Sequence, residues 1–287
     1  MAEATTATKK KNKQPSNVVH NYLRPKKTFP HVWCSGCGIG VVLGALIRAI
    51  DKLQIPKDDI AVLSGIGCSS RLPVYVDFNT LHTTHGRAIA FASGVKAAKP
   101  KLNVIVITGD GDCLAIGGNH FIHACRRNIN ITTILVNNHI YGMTGGQFSP
   151  TTPTTKRGST APYGNLEHPF DATKLAAAAG ASYVARGTVY HTGQLIRMIA
   201  DGIQSNGFSV IDVLSNCQTY YGRWNKEGDA VKMVNWFKSH VVPVTSAAKL
   251  PPEKLEGKWI TGVIHKEEKS EYTDNYAALR ERVNRQG

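Results

Sequence analysis

Apolar and polar positions change period repeatedly along this chain, and the changes divide it into alternating helices and strands. "IGVVLGALIRAIDKLQ" repeats its apolar residues at helical spacing from a Gly-rich start. "DIAVLSGIGCSS" then reads as a buried strand entering a Gly loop. "HGRAIAFASGVKAAKP" predicts a second helix, stopped by Pro100. "LNVIVITGDGD" reads as a strand and a turn, "AIGGNHFIHACRRN" as a third helix, and "ITTILVNN" as a strand with a β-branched core. "DATKLAAAAG", "SYVAR", "HTGQLIRMIADGIQ" and "FSVIDVL" continue the alternation. Strands that run continuously apolar are buried on both faces, as in parallel sheets. The pattern therefore predicts an α/β fold, a doubly wound and mostly parallel sheet, with ligands at the carboxyl ends of its strands. Residues 139–170, rich in Gly, Pro and Thr, are too long for a passive connection and predict a functional loop. The stretch "HKEEKSEYTDNYAALRERVNRQG" predicts a polar helix or tail.

The 287 residues fit one large α/β domain or two small ones, and neither an internal repeat nor a domain linker is visible. We expect a disordered basic tail over 1–27, the α/β domain over 28–245 and an extension over 246–287. No apolar run is long enough to span a bilayer, and no signal-peptide pattern opens the chain, so a cytoplasmic protein is expected. The net charge of +14 changes the picture of partners. Seven Lys/Arg against one Asp/Glu lie in residues 1–27, and the body is basic as well. Such a surface attracts an acidic partner or an anionic substrate. The basic residues are scattered and not interleaved with aromatics, so no nucleic-acid partner is expected.

Asp110 follows the strand "NVIVITG" in a turn made by Gly109 and Gly111, and the next helix starts at once. A glycine turn lets backbone approach a ligand, and a helix N-terminus offers free N–H groups to phosphate. An acid facing phosphate is repelled unless a cation lies between them. The combination implies a divalent ion such as Mg²⁺, which shares oxygen ligands with substrate phosphates. Asn138 ends the next strand, 28 residues after Asp110. One strand–helix–strand return brings the acid and the amide to the same edge if the strands are neighbours. This stretch resembles the thiamine diphosphate motif. The resemblance assigns Mg²⁺ to Asp110, Asn138 and the carbonyl of Ile140, and diphosphate contacts to Gly111, Asp112, Gly142 and Met143. Asn137 is expected to be a strand-end turn former.

Six cysteines without a leader are not expected to form a disulfide framework. Cys34 and Cys37 form a CxxC in "WCSGCG". Cys68 and Cys217 each follow a strand end, in "SGIGCSSR" and "SNCQTYYG". Four thiolates suit tetrahedral zinc and a 4Fe–4S cluster equally well, and spacing leaves both open. Cys113 and Cys125 are expected to be packing residues.

Taken together, "WCSGCG", "GIGCSSR", "HTTHGRA", "GDGD…NN", "IYGMTGGQ", "SPTTP" and the late Cys217 resemble the β subunits of 2-oxoacid:ferredoxin oxidoreductases. The likeness covers residues 30–225 and is greatest to the 2-oxoglutarate type. The resemblance implies a thiamine diphosphate-binding fold, with Cys34, Cys37, Cys68 and Cys217 ligating a 4Fe–4S cluster near the cofactor. Ile66, Gly67, Cys68, Ser69 and His85 would also line the cofactor. The implied reaction is coenzyme A-dependent oxidative decarboxylation of 2-oxoglutarate or a related 2-oxoacid, with electrons leaving through the cluster to ferredoxin. Ferredoxins are acidic, which suits the basic surface. Arg71 and His85 are the catalytic candidates. A guanidinium three residues after Cys68 could hold the distal carboxylate of the substrate, its alternative being a structural ion pair. Met143 belongs to the same pocket, and Arg87 serves either a phosphate or a helix-start ion pair. His82 is expected to be a satisfied loop histidine.

The carboxylate that acts on the cofactor's pyrimidine ring comes, in such enzymes, from a separate domain that has no counterpart here. We therefore expect an α subunit to carry it, in a heterodimer or its dimer. The alternatives are a pyruvate- or branched-chain-specific member of the same family, a non-redox thiamine diphosphate enzyme with structural zinc, or a zinc-stapled nucleic-acid binder.

Overall fold

A computed structural model describes residues 17–27 and 29–286. Its strands are β1 (Ile60–Ser64), β2 (Asn79–His82), β3 (Asn103–Gly109), β4 (Thr132–Asn137), β5 (Ile140–Tyr141), β6 (Gln147–Phe148), β7 (Tyr183–Thr188), β8 (Ser209–Leu214), β9 (Val241–Pro243) and β10 (Trp259–Lys266). Eight of them form one sheet in the order β2-β1-β3-β4-β8-β7-β10-β9. Every pairing in it is parallel except that of β10 with β7. This is the expected doubly wound, mostly parallel α/β sheet. Strands β1, β4, β7 and β8 are buried at every position, which is why their middles are largely apolar; the buried charges Arg186 in β7 and Asp212 in β8 pair with each other.

Two apolar layers sandwich the sheet. On one face, Val62, Ile105, Ile134 and Ile211 pack against the helices Ile39–Leu53 and Thr192–Gln204. On the other, Leu63, Val106, Leu135 and Val210 pack against the helices Ala88–Ala98, Gly118–Arg127 and Ala172–Ala178. Alternate residues of each strand thus serve opposite layers. The helix Ile39–Leu53 buries eight of its fifteen residues. Each fully buried Leu or Ile contributes about 1.5–3 kcal/mol, so this helix is a principal support of the cavity at its N-terminus.

Two expectations change. Residues 1–16 lie outside the described residues, but 17–27 are not a free tail. Val18–Asn21 form a helical turn capped by Asn17, Val19 and Leu23 are buried, and Arg24 bonds the Val76 carbonyl at 2.9 Å. Basic composition masked a short apolar anchor. The extension 246–287 is not separate either, since β10 inserts between β7 and β9. Its half-exposed alternation hid a strand that meets the layer only along one edge. The polar segment that follows is the helix Tyr272–Asn284. The loop 139–170 is ordered: it opens with the β5–β6 hairpin and is pinned by Asn165, whose side chain donates to the Thr152 carbonyl at 2.8 Å. Among the described residues no helix is long and apolar enough to cross a membrane.

Candidate functional site

Four neighbouring parallel strands, β1, β3, β4 and β8, end at one edge of the sheet. The turns that leave them carry Ile66–Ser69, Asp110–Asp112, Asn138–Ile140 and Cys217. Parallel strands point their carboxyl ends the same way, so residues far apart in the chain meet there.

Asp110 and Asn138 come together as expected, because β3 and β4 are hydrogen-bonded neighbours. A cavity of about 130 Å³ is lined by Asp110, Asn138 and Ile140 and by Ile66, Gly67, Cys68, Ser69, His85, Gly111, Asp112, Gly142 and Met143. Asp110 is 3% exposed. Its Oδ2 accepts hydrogen bonds from Ser149 Oγ at 2.7 Å and Thr151 Oγ1 at 2.6 Å, and its Oδ1 from the Gly111 N–H at 3.0 Å. Burial raises its pKa to about 6, against the lowering effect of those donors. Among the described residues no Lys, Arg or His pairs with it. A buried carboxylate with hydroxyl donors and no cation, beside an amide oxygen and a backbone carbonyl, is a hard-oxygen donor set that fits Mg²⁺.

Asn137 is not a turn former. It ends β4 at 1% exposure and bridges two elements: its Nδ2 donates to Asp212 Oδ1 at 3.1 Å, and its Oδ1 lies 2.9 Å from Thr151 Oγ1. Asp212 is in turn bound by Arg186 Nε at 2.7 Å, and Arg186 Nη2 reaches Asp171 at 2.5 Å. A polar chain therefore runs under the sheet edge from Asp171 to Asp110.

The oxygens of the Asp112 carboxylate are taken up by protein partners. Oδ1 accepts from the N–H groups of Gly86 at 2.7 Å and Ile66 at 3.2 Å and lies 2.6 Å from His85 Nδ1. Oδ2 accepts from Thr108 Oγ1 at 2.8 Å. Asp112 is a brace joining three turns, and what it leaves for a diphosphate is its backbone N–H. His85 is seated on that brace, so Nε2 is the nitrogen left for a ligand. His82 is satisfied by Ser64 Oγ at 3.0 Å. Arg87 makes no ion pair among the described residues, and its guanidinium donates to the Ile116 carbonyl at 3.0 Å.

Cys34, Cys37, Cys68 and Cys217 line a second cavity of about 470 Å³, with Arg71 on its wall. The two cavities share Cys68, Asn138, Gly142 and Met143. Burial pushes Cys37 up to about 12 and Cys68 to about 11, and the neighbouring thiols push the same way. Cys217 is raised for the same leading reason. Partly buried thiols whose thiolate forms would repel one another ionise more readily around a cation, which fits an iron or zinc centre. Among the described residues no three His, Cys, Asp or Glu groups are already drawn to metal-binding distance. Cys113 and Cys125 sit in the apolar layer as packing residues.

A family model, thiamine pyrophosphate enzyme, C-terminal TPP binding domain, matches residues 65–213. The chain is 50% identical over 262 residues to 2-oxoglutarate synthase subunit KorB of Methanocaldococcus jannaschii, covering 91% of this chain and 97% of that one. It is 52% identical over 246 residues to the subunit of the same name in Methanothermobacter marburgensis, covering 86% of each. The chain belongs to the thiamine diphosphate-binding β subunits of 2-oxoacid:ferredoxin oxidoreductases. A solved structure of 2-oxoglutarate:ferredoxin oxidoreductase from Magnetococcus marinus, with 2-oxoglutarate, coenzyme A and succinyl-CoA bound, matches it with a TM-score of 0.83. That likeness has 33% sequence identity and covers 95% of this chain and 93% of the other.

The thiamine diphosphate-binding β subunit also contains site residues that sequence reasoning did not single out. Ser149 and Thr151 hold Asp110, and Tyr141 donates to the Gly111 carbonyl at 3.2 Å. Their signals were a loop too long to be idle and the motifs "IYGMTGGQ" and "SPTTP", neither of which gave these side chains a role.

Proposed function

We propose that this chain is the β subunit of a 2-oxoglutarate:ferredoxin oxidoreductase, which converts 2-oxoglutarate and coenzyme A to succinyl-CoA and CO₂. Two electrons leave, one at a time, through a 4Fe–4S cluster to ferredoxin. The observation that carries this reading is the shared wall between the two cavities: Cys68, Asn138, Gly142 and Met143 border both the acid–amide pair and the four cysteines. A carbon-chemistry site and a one-electron acceptor site would then be adjacent, which a hydrolytic decarboxylase does not need.

Thiamine diphosphate would supply the carbon nucleophile and electron sink, and the cluster would supply the one-electron acceptor. Asp110, Asn138 and the Ile140 carbonyl would hold Mg²⁺, with the backbone N–H groups of Gly111 and Asp112 and the turn at Gly142 and Met143 facing the diphosphate. Ile66, Gly67 and Ser69 would close one side and His85 the other, excluding water. Cys34, Cys37, Cys68 and Cys217 would ligate the iron. Arg71, which has no carboxylate partner among the described residues, would hold the distal carboxylate of the substrate through paired hydrogen bonds. An α subunit would bring the carboxylate for the pyrimidine ring, and the basic surface would steer an acidic ferredoxin.

The test is an oxoacid panel on the complex co-purified with its α subunit, with coenzyme A and a viologen dye. The expected result is dye reduction that needs both coenzyme A and 2-oxoglutarate, from a protein with an absorbance band at about 400 nm that dithionite bleaches. A colourless, zinc-containing complex would overturn the cluster assignment. In Arg71→Leu, turnover of 2-oxoglutarate should fall while that of pyruvate is spared; equal loss for both would remove Arg71 from substrate selection.

A further inference from the structure

Cys217 is flanked by two amide side chains, and both reach the same short loop. Gln218 Nε2 donates to the Ser35 carbonyl at 2.7 Å, and Asn216 Nδ2 donates to the Gly36 carbonyl at 3.0 Å. Ser35 and Gly36 are the two residues between Cys34 and Cys37. Asn216 Nδ2 also lies 3.0 Å from Gln218 Oε1, so the two amides orient one another. From the opposite side, Trp33 Nε1 donates to the Cys68 carbonyl at 2.7 Å. The CxxC loop is thereby tied to the turns of both remaining cysteines through backbone carbonyls, without a thiol taking part.

The surroundings make the clasp specific. Asn216 is 1% exposed. A Cβ on Gly38 would meet Ser215 Oγ at 2.3 Å and Asn216 Oδ1 at 2.8 Å, so the start of the helix Ile39–Leu53 lies against the Asn216 turn only because residue 38 is glycine. Cys34, by contrast, is exposed. Trp33 anchors the loop's entry and a Cys37 N–H to Cys34 carbonyl bond at 3.0 Å closes its turn, but only the two amides join the Ser35 and Gly36 carbonyls to the Cys217 turn among the described residues.

We propose that Asn216 and Gln218 are positioning residues for the four-cysteine site, a clasp that sets the CxxC pair against Cys217 before any metal arrives and slows the loss of the centre afterwards. The proposal rests on the reading of the four cysteines as a 4Fe–4S site. The side-chain amides act on distance and order only, and they take no part in the reaction.

The experiment uses the anaerobically purified αβ complex, wild type against Gln218→Met and Asn216→Leu. Each substitution keeps the approximate size of the side chain, removes the amide donor and adds no charge. Two readouts are taken. The first is the rate at which the absorbance at about 400 nm disappears with an iron chelator. The second is amide hydrogen exchange over residues 33–40, with residues 60–64 of β1 as internal control, in protein stripped of metal. Losing one such bond should speed both by about five- to tenfold and leave β1 unchanged. Exchange over 33–40 equal to wild type in both variants would overturn the clasp, whatever the metal. If wild type carries no iron, the cluster reading fails, and the exchange measurement still decides the clasp. If exchange quickens but bleaching does not, the clasp orders the loop without protecting the centre, and the protective half of the proposal is overturned.

Discussion

Thr151 Oγ1 lies 2.6 Å from Asp110 Oδ2, and the threonine comes from the long loop whereas the acid comes from the end of β3. The same oxygen is 2.9 Å from Asn137 Oδ1. The single hydrogen of this hydroxyl, directed to the nearer carboxylate oxygen, aims a buried carboxylate beside the neighbouring strand. Thr151→Val removes the hydroxyl and keeps the shape. It should weaken magnesium-dependent binding of thiamine diphosphate by about 10- to 100-fold, the usual cost of losing a partner of a metal ligand. Thr151→Ser should stay near wild type. Titration of intrinsic fluorescence in the αβ complex reads both, and equal affinity in wild type and Thr151→Val would show that Asp110 needs no such aim.

Gly65 opens the turn after β1 and lies against Asp112. A Cβ there would meet Asp112 Oδ2 at 2.2 Å and Oδ1 at 2.5 Å. Gly65→Ala should force the carboxylate off Ile66, Gly86 and His85, destabilise the protein by about 1–3 kcal/mol and weaken the cofactor. Urea unfolding with and without thiamine diphosphate checks both effects. An alanine variant with wild-type stability would mean that the brace can shift without cost.

Arg186 is 4% exposed and is the cation on Asp212, which is fully buried; its guanidinium also stacks 4.9 Å over the Trp259 ring. Arg186→Met leaves Asp212 buried without a counter-charge and should destabilise the protein by about 3–5 kcal/mol. Adding Asp212→Asn should recover a large part of that loss, because the orphaned charge disappears. A double-mutant cycle by chemical denaturation measures the recovery, and purely additive losses would mean that the two side chains do not act as a pair.

Asp171 caps the helix Ala172–Ala178 and shares Arg186. Burial alone would raise its pKa, but the Arg186 charge and the bonds to Thr173 and Lys174 outweigh it and hold the carboxyl below its usual range. Its folded pKa is therefore depressed. Its stabilisation is present above the unfolded value of about 3.9 and is lost as pH falls through the folded value below that. Stability measured between about pH 2 and 6 should drop less steeply in Asp171→Asn than in wild type. Parallel acid profiles would contradict this.

On the proposed reading, in which an α subunit brings the pyrimidine carboxylate, the chain by itself should bind thiamine diphosphate weakly and turn over no oxoacid. Reconstitution with the α subunit should restore dye reduction. Turnover by the isolated chain would remove the need for the partner.

The sequence alone determined the sheet strands with apolar cores, the order of the turns and the residues that chemistry singles out. Apolar runs such as "NVIVITG" and the glycine turn at Asp110 carry their meaning in neighbouring residues, and a strand–helix–strand return sets the spacing to Asn138. The resemblance of ordered motifs extended that to the four cysteines. Tertiary structure alone decided which polar groups serve which. It turned the Asp112 carboxylate inward and made Asn137 a bridge rather than a turn. It also brought Ser149 and Thr151 back onto Asp110, ordered residues 17–27 and threaded β10 between β7 and β9. The physical reason is that secondary structure depends on periodicity within a dozen residues. The direction of a hydrogen bond from a long loop, or the place of a half-exposed edge strand, depends instead on which surfaces remain unsatisfied after the two apolar layers have closed on the sheet.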